Sequence, residues 1–289
     1  MTTAIEKLSI RFESVVDELA ALCNVLSIRY FNNSGDGFYM LVPNHYFGDR
    51  DAGQKLQHLG LVRRYTGISE LLGVLTVGAP DDLAKDLVDG RNAFELWLQL
   101  GSNWSVSPDK AQNEQGMRAA ADGLRGVIAA LGAGPKDDLF LVPDTNALLA
   151  CADPTKYRDV CAEARFEFLL LPTVLGELDE LKIAHRNPDV REKAQKVIAR
   201  IKGWRMQGGL LEGVLVDKTI KIRALHSEPD MKTTLPWLQA DSADDRILAS
   251  VLSIQAASPS ARVILVTGDI NLQNKADAAL VEVVEAPSP

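Results

Sequence analysis

After Gly132-Ala133-Gly134-Pro135 the chain changes its hydrophobic rhythm, and that change limits what it can fold into. Four short apolar runs follow, at residues 139–143, 168–172, 262–267 and 280–284, each rich in Val, Leu or Ile and each separated from the next by helix-like sequence. Such runs leave little wet face, so they suit strands buried on both sides. Strands that alternate with helices are joined as parallel neighbours by crossover helices. Residues 214–222 read as one additional strand. The expected fold for residues 136–286 is α/β, a parallel sheet flanked by helices.

Upstream of the break the rhythm is helical. Ile5, Leu8, Phe12, Val15, Val16, Leu19, Leu22 and Leu26 recur at three- and four-residue steps and make one apolar helix face. Helical patterns continue at 52–65, 69–75, 81–100 and 114–131, with a polar loop at 101–112. Residues 28–31 and 38–42 flank the turn-rich Asn32-Asn33-Ser34-Gly35-Asp36-Gly37, which predicts a hairpin. A chain of 289 residues exceeds the usual size of one domain. Two are expected, a mostly α-helical one at 1–132 and the α/β one at 136–286.

Composition narrows the chemistry. No apolar stretch is long enough to span a membrane, and Glu6, Arg11, Glu13, Asp17 and Glu18 interrupt any secretory leader at the start. A cytoplasmic protein is expected, with no membrane partner. Three cysteines form no CxxC pair and four histidines show no metal-ligand spacing, so a disulfide framework or zinc site is not expected. Any metal here should take oxygen ligands.

Acids stand where such a metal would be held. Asp144 follows the run at 139–143 and Asp269 follows the run at 262–267, so both close strands of a parallel sheet, the end at which open α/β sheets bind ligands. Glu177 lies in the helix that opens directly after the run at 168–172. Asp244 and Asp245 open another helix. Carboxylates gathered at one sheet end repel one another unless neutralised, usually by a divalent ion. Each acid alone also has an ordinary reading: Asp144 and Asp269 as helix caps, Asp245 as the partner of Ser242 in a capping box, and Glu177 as a solvated helix residue. The chemistry rests on their order along the chain.

Asp144-Thr145-Asn146, then Glu177-Leu178 with Leu181, then Asp244-Asp245-Arg246-Ile247-Leu248-Ala249, then Val266-Thr267-Gly268-Asp269-Ile270-Asn271 with Lys275-Ala276 together resemble the PIN-domain ribonucleases. The last two segments are most similar to the larger branch that includes the nonsense-mediated-decay endonuclease and the nuclease-like half of PhoH-type proteins. The resemblance covers the C-terminal half only. It implies that Asp144, Glu177, Asp269 and a third acid bind Mg2+ or Mn2+ and that the activity is endonucleolytic hydrolysis of single-stranded RNA. Either Asp244 or Asp245 supplies the third acid, according to whether Ile247 or Leu248 fills the apolar position three residues on; Asp245 is the preferred reading. Asn146 and Thr267 flank the strand-end acids as candidates to orient water or phosphate, or simply to form turns. A catalytically silent RNA-binding or assembly scaffold is the alternative. A phosphohydrolase with an aspartate nucleophile fits less well, because that chemistry wants a second Asp two residues after the first and Asn146 stands there.

The net charge of −8 argues at first against a nucleic-acid partner, but residues 182–205 hold eight basic residues and two acids. Lys182, Arg186, Arg191, Lys193 and Lys196 from this run, with Arg246 and Lys275 beside the acids, are the candidate RNA contacts; a solvated helix face is the plainer reading. Trp204 and Trp237 are candidates to stack bases or to fill the core. The N-terminal half carries no motif that specifies chemistry, which leaves it as a regulator, a substrate selector or a protein-partner module. Pairing into a homodimer is implied by the resemblance alone.

Overall fold

The computed structural model describes residues 3–30, 45–101, 106–136 and 138–288. The chain divides into two compact units, one of Ile5–Gly132 and the other of Ala133–Pro289 together with Met1–Ala4.

The first unit opens with α1 (Ala4–Val25), which buries the apolar stripe from Ile5 to Leu22. Next, β1 (Ile28–Tyr30) pairs antiparallel with β2 (His45–Phe47); the expected strand at 38–42 lies outside the described residues. The patterns at 52–65 and 69–75 are one helix, α2 (Ala52–Leu75). It continues through Gly67 because Leu61, Tyr65, Ile68 and Leu72 keep one buried face in step across the glycine. Two more helices follow, α3 (Asp81–Leu98) and α4 (Lys110–Leu131). The latter begins earlier than its apolar pattern, since Asp109 caps it by accepting from Ala111 N at 2.9 Å. Where α3 and α4 meet, the backbones touch: a Cβ added at Gly90 or at Gly123 would lie 3.0 Å from backbone of the facing helix. Phe94 sits in the core with the rings of Phe12 and Tyr65 at 5.3 and 5.2 Å.

In the second unit β3 (Leu139–Pro143) leads through α5 (Thr145–Ala150) and the short α6 (Arg158–Cys161) to β4 (Phe166–Leu170). From there α7 (Pro172–Ala184) and α8 (Pro188–Gln207) lead to β5 (Val214–Asp217) and β6 (Ile220–Ala224). The chain ends α9 (Ala243–Ala257), β7 (Arg262–Val266), α10 (Ile270–Ala278) and β8 (Glu282–Val284). The sheet order is β5-β6-β4-β3-β7-β8, parallel throughout except for β5 at the edge. The expected α/β class is therefore what forms. Two details differ from the pattern reading. Residues 214–222 make two strands rather than one, because Asp217 turns the chain: its carboxylate accepts from Lys218 N at 2.6 Å and pairs with Arg158 at 2.7 Å. The second strand ends at Leu170, and Pro172 starts the next helix, where a missing N–H costs nothing.

Tyr157 ties the first crossover to the sheet. It is fully buried, edge-on to Phe168 at 5.1 Å, and its hydroxyl donates to Cys151 O at 2.7 Å, with Ala147 O at 3.3 Å. Removing that hydroxyl leaves the Cys151 carbonyl unpaired in a dry place. Tyr157→Phe is expected to lower the unfolding free energy of this unit by about 1–2 kcal/mol, read as a lower urea midpoint at unchanged slope; an unchanged midpoint would mean that water replaces the bond.

Strand order positions the site. From β3 the chain moves outward to β4 and β6, then returns past β3 to β7 and on to β8. The order reverses between β3 and β7, and in open α/β sheets the crevice beyond the carboxyl ends of such a strand pair is where ligands bind. Among the described residues, no helix is long and apolar enough to cross a membrane.

Candidate active site

The ends of β3 and β7 are locked together. Asp144 N donates to Val266 O at 2.9 Å, so Asp144 leaves the sheet directly beside Thr267. The Asp144 carboxylate caps α5 by accepting from Ala147 N at 2.6 Å, and it accepts the Thr267 hydroxyl. The same hydroxyl oxygen accepts from Asp269 N at 2.9 Å. Asp269 in turn caps α10, with Asn271 N at 2.7 Å and Leu272 N at 3.1 Å. Thr267, with no solvent exposure, therefore bridges the two strand-end acids. Its place in the site is to fix them, rather than to meet water or phosphate.

A pocket of about 450 Å³ opens over these strand ends, and Asp144, Glu177, Asp244 and Asp269 all line it. Glu177 reaches it from the second turn of α7 and accepts a hydrogen bond from the hydroxyl of Thr145, a residue the sequence reading passed over although it directly follows Asp144. Asn146 lies on the pocket wall, solvent-exposed. Farther along α7, Glu180, Leu181 and His185 also line it. Neither Glu180 nor His185 belongs to a motif visible in the sequence; the available signal for Glu180 is its place three residues from Glu177 on the same helix, whereas His185 lies just past the helix end, where no periodicity marks it.

The two adjacent acids of α9 part company. Asp244 faces the pocket and Asp245 does not. Asp245 is 2% exposed, with one carboxylate oxygen accepting from Gln239 N at 2.9 Å and the other paired with Lys275 Nζ at 2.5 Å. The oxygens of Asp245, the preferred third acid on sequence, are occupied in holding a loop and α10, whereas Asp244 lines the pocket with Asp144, Glu177 and Asp269. Of the expected capping box only one half forms: Ser242 Oγ accepts from Asp245 N at 3.3 Å, while the Asp245 carboxylate serves Gln239 N and Lys275 instead.

Electrostatics mark the same cluster. Burial raises the Asp144 carboxyl above its ordinary value, and the charges of Asp244 and Glu177 push the same way against the hydrogen bonds from Thr267 and Ala147. Burial also raises Asp244, helped by Asp269 and opposed by Lys275. A crowd of carboxylates in a half-dry pocket is the arrangement a divalent cation relieves. The donors at this end of the pocket are carboxylate, amide and hydroxyl oxygens, which fit a hard ion. As the side chains stand, no three acids, histidines or cysteines among the described residues are drawn into a ready-made cage.

The basic candidates fall into two groups. Arg246 is committed to the fold, donating to Ala240 O at 2.9 Å and pairing with Glu228 at 3.4 Å; Lys275 is committed to Asp245. Arg191 donates to the carbonyl of His185 at 2.5 Å and braces the corner between α7 and α8. Lys182 pairs with Asp179 and Lys196 with Glu192, the latter at 2.7 Å. Arg186, Lys193 and Lys196 are exposed. Trp204 is buried in the core with Ala194, Val197 and Ile201 of α8, and Trp237 is 40% exposed.

A mostly parallel α/β sheet whose switch-point crevice is lined by five carboxylates, four of them at the strand ends and helix starts read from the sequence, is a nuclease-like arrangement. A family model described as PIN domain matches residues 141–286. The chain belongs to the PIN-domain family, whose members are generally nucleases and typically use divalent metal ions. Comparison with curated proteins finds no match.

Proposed function

We propose that this protein is a metal-dependent endoribonuclease that hydrolyses phosphodiester bonds in single-stranded RNA, and that it stands nearest the larger PIN branch its last two motifs resemble. The observation that carries the proposal is the convergence of Asp144, Glu177, Asp244 and Asp269 on one pocket at the switch point of the sheet. Asp144, Asp269 and Asp244 would hold Mg2+ or Mn2+, with Glu177 completing the set. When bound, such an ion supplies the positive charge that polarises a scissile phosphate and acidifies water for in-line attack.

The chain's own part is orientation. The Thr267 hydroxyl fixes the spacing of Asp144 and Asp269, and the Thr145 hydroxyl turns Glu177 toward them. Burial raises the carboxyls of Asp144 and Asp244, and a bound cation would favour the charged form of both. Attack by water leaves a 5′-phosphate and a 3′-hydroxyl; a 2′,3′-cyclic phosphate would exclude this mechanism.

One observation favours the alternative of a non-cleaving RNA-binding scaffold: the lack of a tight three-acid cage among the described residues. Cleavage of a labelled single-stranded RNA decides between them. Purified protein is expected to cut it with Mn2+ or Mg2+, to stop in EDTA, and to lose activity in Asp144→Asn. Folded, metal-supplied protein that cuts neither RNA nor DNA would establish the scaffold.

A further inference from the structure

The pocket extends well beyond its acids. Glu177, Glu180, Leu181 and Ala184 line it from α7, and His185, in extended backbone just past the helix end, lines it next to them. Seven residues separate Glu177 from Ala184, which at the helical rise is about 10 Å, and His185 lies just beyond. Along that distance the wall changes character, from carboxylate at Glu177 and Glu180 to the small apolar surface of Leu181 and Ala184 and then an imidazole. Ile247, from α9, adds apolar surface to the lining.

This part of the pocket is unsuited to phosphate. No lysine or arginine lines it and Glu180 is a second negative charge on it, so a phosphate placed here meets repulsion with no counter-ion. A flat, uncharged group with apolar faces and a polar edge meets no such penalty. His185 is also held in place rather than swinging free. Its Nδ1 accepts from Asn187 N at 3.2 Å, and its carbonyl accepts from Arg191 at 2.5 Å. The ring is half-buried at the helix corner and its Nε2 edge has no protein partner among the described residues.

We propose that Leu181, Ala184 and His185 form a nucleobase subsite for a nucleotide next to the scissile phosphate, and that Glu180 makes it select a base bearing an exocyclic amine over uracil. The proposal rests on the ribonuclease reading above and deepens it. The imidazole supplies a π-face for stacking, and a carboxylate accepts from an amine such as cytosine N4–H2 but repels the O4 of uracil.

The test is equilibrium binding of fluorescein-labelled octacytidylate and octauridylate to the full chain in Ca2+, followed by anisotropy, alongside cleavage of a mixed-sequence RNA with Mn2+. Octacytidylate is expected to bind about tenfold tighter than octauridylate. His185→Ala should weaken both by about tenfold and His185→Tyr should restore them, while Glu180→Ala should remove the difference between the two. Glu180 is exposed on α7 and His185 is half-buried just past its end, and circular dichroism checks that the variants fold. Equal binding of the two oligonucleotides by the unmodified chain overturns the selection, and unchanged binding in His185→Ala overturns the subsite. If either occurs while metal-dependent cleavage persists, the ribonuclease reading stands without the subsite. If the chain neither binds nor cleaves either RNA, both fall.

Discussion

Asp244→Asn is expected to abolish metal-dependent RNA cleavage without weakening the fold, and Asp245→Asn to weaken the fold while sparing cleavage. The two residues are neighbours of like chemistry, so the contrast isolates what their surroundings do. Residues that merely orient a metal ligand typically matter 10- to 100-fold, so loss of a ligand itself should exceed about 100-fold. Among the described residues the Asp244 carboxylate has no hydrogen-bond or ion-pair partner to lose. Its carboxyl is raised by burial and by Asp269, and an acid raised in the folded state costs stability above that value because the unfolded chain ionises more easily. A neutral amide removes that cost, so the unfolding midpoint should hold or rise slightly at neutral pH.

Asp245 is the opposite case. Its carboxylate is almost fully enclosed and both oxygens are used, by Gln239 N and by Lys275. Breaking a buried ion pair by removing one partner costs about 3–5 kcal/mol. Here the lysine side chain is 36% exposed and can turn partly to water, so a loss of about 1–3 kcal/mol is expected for Asp245→Asn, which still offers Gln239 an acceptor. Asp245→Ala should lose more, since a backbone N–H is then left unpaired as well. Urea unfolding and cleavage assays on both variants, run well below their midpoints, check this. Full cleavage by Asp244→Asn, or loss of cleavage by a fully stable Asp245→Asn, would reverse the assignment.

The difficulty of telling these two acids apart in the sequence has a physical basis. Asp244 is followed three residues on by Ile247 and Asp245 by Leu248, and both of those are buried, so the apolar pattern of α9 fits either. What separates them is the direction each side chain takes, about 100° apart around a helix, and what waits there. Lys275 lies 30 residues away in sequence, and its pairing with Asp245 is set by the docking of α10, which no local pattern encodes. By contrast, Asp144 and Asp269 were legible because buried parallel strands are nearly continuous apolar runs and the residue that ends one has few places to go. The helical stripe of α1 was legible for the same kind of reason.

Elements whose shape depends on distant partners were not. Asp217 splits 214–222 into two strands with help from Arg158, a contact across 59 residues. In the sequence Thr267 reads as a turn residue or one that orients water or phosphate, and only the pairing of β7 with β3 brings its hydroxyl to Asp144. The basic run at 182–205 looked uniform, yet Arg191 is spent on bracing a corner.

That last distinction chooses the residues for the second large effect. Reversing Arg186, Lys193 and Lys196 together to glutamate is expected to lower single-stranded RNA affinity about 10- to 100-fold at low salt. If all three neutralise phosphates, the slope of log K against log salt should also fall by about 2, from roughly 0.7 per contact on a single strand. Arg191 is left in place because its guanidinium holds the carbonyls of His185 and Arg186, and losing it would mix a binding effect with a folding one. The control is Arg165→Glu with Lys218→Glu. Both are exposed and line a separate pocket at the amino ends of β4 and β6, the opposite end of the sheet from the acids. A nonspecific charge effect would lower affinity in the control by a comparable factor. A backbone track along the corner of α7 and α8 would leave the control close to the unmodified chain, with only the weak long-range loss that salt screens beyond about 10 Å. Unchanged affinity and slope in the triple variant would return the basic run to a solvated helix face and leave RNA binding to the acid pocket alone.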